Sequence, residues 1–179
     1  MKFLTALFAI LLLLSFTIEA HSQARSNIGV AFQLNKPYSS NYNFGSGVQL
    51  QGTVALGSQF AVGLDFGYDK INAKSGYRPG GYPIDGLGMV YFRLPLKYVY
   101  RSWVISAGPL FYMANAHGET DGIGVGFTGS VGYNLDLDEH NTFVFSLNTD
   151  VANITSNGHD TTPIAGLRIA YVINFKGRK

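Results

Sequence analysis

The chain has 179 residues, of which 46% are hydrophobic and 14% aromatic, while only 13% are charged. A water-soluble domain usually carries about a quarter of its residues as Asp, Glu, Lys or Arg, so this composition indicates a surface that is partly outside water. The net charge of +2 is too small to indicate binding to nucleic acid, and the absence of cysteine excludes disulfides and thiol chemistry.

The N-terminus predicts a secretory signal peptide. Lys2 precedes an apolar run from Phe3 to Leu14 that continues to Ile18, and Ser22-Gln23-Ala24 offers small residues at the −3 and −1 positions of a cleavage site. The run is too short and too close to the terminus for a stable membrane span. We therefore expect a signal peptide over residues 1–24 and one mature domain over residues 25–179. An uncleaved N-terminal anchor is the alternative.

Eight later segments alternate apolar and polar side chains with a period of two, which is typical of strands with two different faces. One face carries large aliphatic and aromatic residues, whereas the other carries small or neutral polar residues with scattered charges. A tilted strand needs about 9 to 11 residues to cross a membrane, and every segment is that long or longer. The predicted strands are 27–35, 46–56, 59–70, 86–98, 102–113, 122–135, 142–151 and 164–175.

The connections between these segments alternate in length. They are residues 36–45, 57–58, 71–85, 99–101, 114–121, 136–141 and 152–163. Outer-membrane barrels have long external loops and short periplasmic turns, and an even number of strands places both termini in the periplasm. The sequence therefore predicts an all-β fold, an eight-stranded antiparallel up-and-down transmembrane β-barrel, located in the outer membrane.

A soluble barrel of the lipocalin type has the same number of strands and is the alternative fold. Its apolar face would point inward onto a ligand and its other face would meet water. The less apolar face of this chain is too poor in charge to suit a water-exposed exterior, so the membrane barrel is favoured. Aromatic residues near strand ends also suit interfacial girdles. They are Phe60, Tyr68, Tyr98, Tyr100, Tyr133 and Phe175.

Two neighbouring segments resemble the PorT-like outer-membrane β-barrel family. Residues 91–98 contain Leu-Pro-Leu-Lys-Tyr, and residues 103–112 contain Ala-Gly-Pro. The likeness continues through the Gly-rich sixth strand and the aliphatic last strand. It implies an outer-membrane barrel, and no catalytic residue is carried over. The chain departs from the usual pattern because residues 176–179 follow Phe175, so we expect a slightly internal signal for the barrel-assembly machinery.

Six charged residues fall on the inward face of the predicted barrel. Little bulk water remains inside eight strands, so opposite charges there should pair. We expect a salt-bridge network that locks the interior, with a path for ions or protons as the alternative. The six residues are Asp65, Asp69, Arg93, Lys97, Asp150 and Arg168.

Histidines occur in the predicted external loops without a fixed scaffold. His117 stands near Glu119 and Asp121, and His159 precedes Asp160. A surface metal site is geometrically possible there, but exposed loop histidines are more often solvated. No nucleophile–histidine motif of an enzyme is formed either. We therefore expect no metal, no cofactor and no enzymatic activity.

The longest predicted external loop interleaves Lys74, Tyr77, Arg78 and Tyr82 with Gly and Pro, which suits recognition of a protein or a glycan. The favoured function is a non-enzymatic barrel with a side-chain-filled lumen and such binding loops. The alternatives are a conduit for small apolar molecules, opened laterally at Pro95 or Pro109, and a lipid-modifying barrel enzyme. Expected partners are outer-membrane lipids and the barrel-assembly machinery, with no nucleic acid, and we expect a monomer.

Overall fold

The computed structural model describes residues 24–76, 85–115, 122–153 and 161–175. This part of the chain forms β-strands, and it holds no helix that is long and apolar enough to span a membrane. Residues 1–23 of the expected signal peptide lie outside it. The strands are β1 (Asn27–Pro37), β2 (Tyr42–Ala55), β3 (Phe60–Ala73), β4 (Gly86–Arg93), β5 (Leu96–Tyr100), β6 (Trp103–Asn115), β7 (Gly122–Asp136), β8 (Asn141–Asn153) and β9 (Thr161–Asn174).

The strands close into a barrel. Apart from β4 and β5, consecutive strands pair in antiparallel fashion, and β9 returns to β1 with a register that runs from Asn27↔Asn174 to Pro37↔Ile164. Strands β4 and β5 share one position in the sheet, because both pair with β3 on one side and β6 on the other. The eight-stranded antiparallel barrel is therefore confirmed.

The break between β4 and β5 replaces the single strand predicted over residues 86–98. Its cause is Pro95, which has no N–H to donate to a ladder. The neighbouring strands nevertheless stay bonded, since Leu94 N donates to Pro109 O at 3.2 Å and Gly63 N donates to Pro95 O at 2.7 Å. The two prolines interrupt the regular pattern without parting the strands.

Apolar side chains face outward and polar side chains face inward. Ile28 is 54% exposed and Leu50 is 59% exposed, whereas Gln33, Asp69 and Arg93 are buried. A water-soluble barrel would show the opposite arrangement, because burial of apolar surface drives its folding. The orientation rules out the lipocalin-like alternative and is that of a barrel whose outer face meets lipid.

The two ends of the barrel differ. The short-turn end holds the connections 56–59, 101–102 and 137–140 together with the described residues nearest the two termini, 24–26 and 175. The long-loop end holds residues 38–41 and the strand ends that border residues 77–84, 116–121 and 154–160, which lie outside the described part. Strands reach further toward this end than predicted: β2 begins at Tyr42, with a register shift before Gly45, and β3 ends at Ala73. At this end the backbone pairing of β2 and β3 extends past the residues whose apolar and polar side chains alternate.

Two glycines make room for inward tyrosine rings. Gly67 pairs with Tyr91 across β3 and β4, and Gly124 pairs with Tyr112 across β6 and β7. A Cβ atom added to either glycine would overlap the ring of its partner. The absence of a side chain on one strand thus lets an aromatic ring lie across it.

The turn between β7 and β8 is closed by one carboxylate. Asp138 accepts hydrogen bonds from the backbone N–H of His140 at 2.7 Å and of Asn141 at 2.8 Å, and from Asn141 Nδ2 at 2.7 Å. These donors favour the ionised form, so they hold the pKa of Asp138 below its usual value. The side chain satisfies turn donors that the strands leave free.

Candidate functional site in the barrel lumen

An apolar cluster fills the half of the lumen at the long-loop end. Its side chains come from six strands, β2, β3, β4, β6, β8 and β9, near the long-loop end. They are buried and closely packed, so they close the interior there. We call this cluster the apolar plug. Its members are Tyr42, Ile71, Leu87, Met89, Tyr91, Leu110, Tyr112, Ala114, Ala152 and Ile164.

The sequence carries a signal for this plug that the predicted strand faces did not include. Ile71, Leu87 and Met89 are apolar, yet each stands an even number of residues from an inward-facing charged residue of its own strand. They therefore also face inward. Apolar residues therefore occupy both faces near the long-loop end, a departure from strict alternation that indicates a filled interior. The prediction described the inward face as small or neutral polar residues with scattered charges, and it did not include the large aliphatic residues Ile71, Leu87 and Met89.

The centre of the lumen holds a buried ion pair. Arg93 Nη2 donates to Asp150 Oδ2, and both side chains are 1% exposed. Arg93 Nη1 also donates to Gln49 Oε1 at 2.7 Å, and the guanidinium lies 3.9 Å from the centre of the Tyr91 ring. The arginine is thus held by a carboxylate, an amide and an aromatic face.

A second arginine reaches the same amide. Arg168 Nη1 lies 3.7 Å from Asp65 Oδ2 and 3.4 Å from Gln49 Oε1, and Arg168 Nε donates to Ser146 Oγ at 3.0 Å. The Gln49 carbonyl oxygen therefore accepts from two guanidinium groups, those of Arg93 and Arg168. Such an acceptor lets two buried cations approach each other, and Gln49 was not singled out from the sequence.

The remaining two charges of the predicted set have neutral partners. Asp69 Oδ1 accepts from Gln33 Nε2 at 2.5 Å, and Gln33 Nε2 also lies 2.8 Å from Tyr91 Oη. Lys97 Nζ donates to Thr53 Oγ1 at 2.8 Å. Among the described residues, neither Asp69 nor Lys97 has an opposite charge within 4.0 Å.

Four of the six inward charges thus form ion pairs, Arg93 with Asp150 and Arg168 with Asp65. The other two lie far apart along the barrel. Lys97 is the cross-strand partner of Ala61 on β3, and Asp69 lies eight residues after Ala61 on that strand. At roughly 3.3 Å per residue, the two strand positions are about 26 Å apart. Asp69 belongs to the plug side of the lumen and Lys97 to the opposite side.

A cavity of about 70 Å³ opens at the short-turn end of the lumen. Lys97, Arg168 and the hydroxyl groups of Thr53, Ser106 and Ser130 line it, and Arg25 and Asp136 stand at its outer rim, 4.0 Å apart. The Oγ atoms of Ser106 and Ser130 are hydrogen-bonded to each other at 2.7 Å. The lumen is thus packed at one end and hollow at the other.

The predicted recognition loop is described only in part. Lys74 is exposed at the long-loop end, while Tyr77, Arg78 and Tyr82 lie outside the described residues. The loop histidines His117 and His159 lie outside them as well. Within the part of the chain that is described, no cluster of metal-ligating side chains occurs.

Comparison with known proteins gives the fold. No protein-family model matches the chain, so the PorT-like resemblance remains a prediction, and no curated protein matches it either. The barrel is similar to Neisserial surface protein A, with 12% identity and a TM-score of 0.59 over 84% of this chain and 97% of that one. It is also similar to Ail, the attachment invasion locus protein of Yersinia pestis, solved in complex with the heparin analogue sucrose octasulfate. That match has 10% identity and a TM-score of 0.54 over 86% of this chain and 99% of that one.

Proposed function

We propose that this chain is a non-enzymatic barrel of the outer membrane that acts by binding an anionic glycan with its long-loop end. The observation that carries the proposal is the apolar plug. Because packed side chains close the lumen at that end, an external ligand meets the rim and the loops rather than a channel. The fold and the outward apolar face support the membrane location.

Charge favours an anionic ligand at this end. Lys70 and Lys74 are exposed near the end of β3, and Arg78 follows in the same loop. Lys36 adds a fourth cation on β1, where its Nζ lies 5.6 Å from the centre of the Phe44 ring. Cations at this end, one of them beside an aromatic ring, suit the sulfate, phosphate or carboxylate groups of a glycan.

The proposed orientation places the long-loop end outside the cell and both chain ends in the periplasm, after removal of residues 1–24. Its support is that the described residues nearest both termini lie among the short turns: Ala55 N donates to Ser26 Oγ at 3.1 Å, and Phe175 N donates to Ser26 O at 2.8 Å. Short turns face the periplasm in bacterial outer-membrane barrels. An epitope inserted after Gly76 should be accessible to antibody on intact cells, and an epitope at the C-terminus should not.

The conduit for small apolar molecules has no comparable support. A lateral opening at Pro95 or Pro109 would require the neighbouring strands to part, and their backbone hydrogen bonds bridge both prolines. An apolar molecule entering the lumen would also meet the charged centre, where desolvation of Arg93 and Asp150 without new partners is costly.

The binding proposal is tested with the full chain refolded in detergent and a sulfated oligosaccharide of the heparin type. We expect saturable binding that weakens with salt and falls about threefold to tenfold when Lys74 is changed to Glu, because each reversed surface charge alters the attraction by up to about 1 kcal/mol or slightly more. Arg101→Glu is the matched control, since Arg101 is an exposed cation at the opposite end. Equal binding of a neutral oligosaccharide, or equal loss in both variants, would overturn the proposal.

A further inference from the structure

We propose that the cavity at the short-turn end is a binding site for a small oxoanion of the phosphate or sulfate class, held by Lys97. The proposal concerns the opposite end of the barrel from the glycan-binding loops and does not depend on them. It rests on the cation, on the space beside it and on the donor groups around that space.

Lys97 is the inward cation whose charge the described lumen leaves without a contact ion. Arg93 has Asp150, and Arg168 has Asp65, whereas Lys97 Nζ has only the Thr53 hydroxyl at 2.8 Å. A cation in a narrow protein interior is costly to desolvate unless a counter-charge or water replaces its lost hydration. The cavity is where that counter-charge can sit.

Two neighbours fix the position of the lysine. A Cβ atom on Gly63 would lie 2.7 Å from Lys97 Cε and 2.8 Å from Pro95 Cγ, so the glycine leaves the room that the lysine stem occupies. Pro95 itself creates the break between β4 and β5, directly before the strand that carries Lys97. The interruption of the ladder and the missing side chain together direct one ammonium group at the cavity.

The cavity has the size and the donors that a small oxoanion requires. A volume of about 70 Å³ exceeds the space that one water molecule needs, since roughly 10–15 Å³ of such volume holds one water. Its wall offers the ammonium of Lys97, the guanidinium of Arg168 and the hydroxyls of Thr53, Ser106 and Ser130. Ammonium, guanidinium and hydroxyl groups are the donors that tetrahedral oxoanions accept from.

The carboxylates nearby leave the site positive. Asp65 is the partner of Arg168 at 3.7 Å, and Asp136 lies at the rim, 4.0 Å from Arg25, where it also accepts from Thr142 Oγ1 at 2.6 Å. Three cations, those of Arg25, Lys97 and Arg168, thus stand against two carboxylates. Asp65 also attracts Lys97, so it is shared between two cations, and one positive charge remains for the ligand. Because the apolar plug closes the other end, the anion enters from the compartment that the chain ends face.

The experiment titrates inorganic phosphate into the full refolded barrel in a phosphate-free detergent, at constant ionic strength set with chloride, and follows backbone amide shifts by NMR. We expect saturable shifts confined to residues of the cavity wall, and at least a tenfold weaker affinity in Lys97→Met, since a lost charge-assisted contact is worth about 1.4 kcal/mol or more. Lys74→Met, an exposed cation at the other end, should bind like the wild type.

Ser130→Ala keeps the test decisive if Lys97→Met does not fold, because it removes one lining hydroxyl and no charge; we expect it to weaken binding severalfold. The proposal is overturned if phosphate produces no more shift than chloride, if Lys97→Met binds like the wild type, or if, where Lys97→Met does not fold, Ser130→Ala binds like the wild type. A parallel titration with short-chain phosphatidylglycerol separates a lipid headgroup from a free anion. Binding of that lipid without binding of inorganic phosphate would also overturn the proposal.

Discussion

Replacing Arg93 by Met is expected to destabilise the barrel by about 3–5 kcal/mol, because it leaves Asp150 as an unpaired charge in the lumen. The contacts give a similar figure. Arg93 donates one hydrogen bond to Asp150 and one to Gln49, and hydrogen bonds to charged groups contribute about 1.5–3 kcal/mol each. Both members of the ion pair are 1% exposed, so water cannot replace the lost partner.

The free energy of unfolding is measured by urea titration of the barrel refolded in phospholipid vesicles. Trp103 is the single tryptophan of the chain and faces outward, so its fluorescence reports loss of the lipid contact. The double variant Arg93→Met/Asp150→Leu should recover most of the loss, since removal of both charges leaves none buried. Lys74→Met, an exposed control, should change stability by less than about 0.5 kcal/mol.

Two results would refute this account of the ion pair. One is that Arg93→Met lowers the free energy of unfolding by less than about 1 kcal/mol, because the remaining Asp150 would then be adequately solvated. The other is that the double variant lowers the free energy of unfolding by the sum of the effects of Arg93→Met and Asp150→Leu. Residues in contact should instead show a coupling energy of about 0.5–3 kcal/mol.

Three further predictions concern other parts of the barrel. Gly67→Ala should destabilise by about 1–3 kcal/mol through overlap with the tyrosine ring opposite it, while Gly57→Ala, at an open position, should be neutral in the same urea titration. Phe66→Arg, on the 54% exposed outward face, should cost about 2–4 kcal/mol in vesicles, and a change near zero would contradict a lipid-facing band. The lowered pKa of Asp138 adds stability above the usual pKa near 3.8 that is lost as pH falls through the lower folded value. Asp138→Ala should abolish that part of the pH dependence of the urea midpoint, and an unchanged slope below pH 4 would contradict the turn assignment.

The alternation of residues along the strands predicted the fold because a strand has a period of two that depends only on local backbone geometry. Ile28, Leu50 and Phe66 stand on the faces that the sequence assigned to them, and all three are exposed. The low content of charge indicated which face meets lipid. The inward placement of Asp65, Arg93 and the other four charged residues follows from the same parity.

The sequence could not give the partners of those charges. Arg93 and Asp150 are 57 positions apart and meet across the lumen, so their contact depends on the stagger of strands around the closed barrel. The odd or even position of a residue along its strand assigns its side chain to the inside of the barrel. It gives neither the height of the residue along the barrel axis nor the strand that the side chain faces. For that reason the Gln49 bridge between two arginines was not anticipated, and Lys97 and Asp69 were expected to have ionic partners.

By itself, then, the sequence determined the number of membrane-crossing segments, their faces and the alternation of long and short connections, because each of these is written in local periodicity and composition. Only the tertiary structure decided that the lumen is closed by the apolar plug at one end and open as a cavity beside Lys97 at the other. Both features arise from side chains of distant strands meeting at one height of the barrel, and that height is fixed by closure of β9 onto β1.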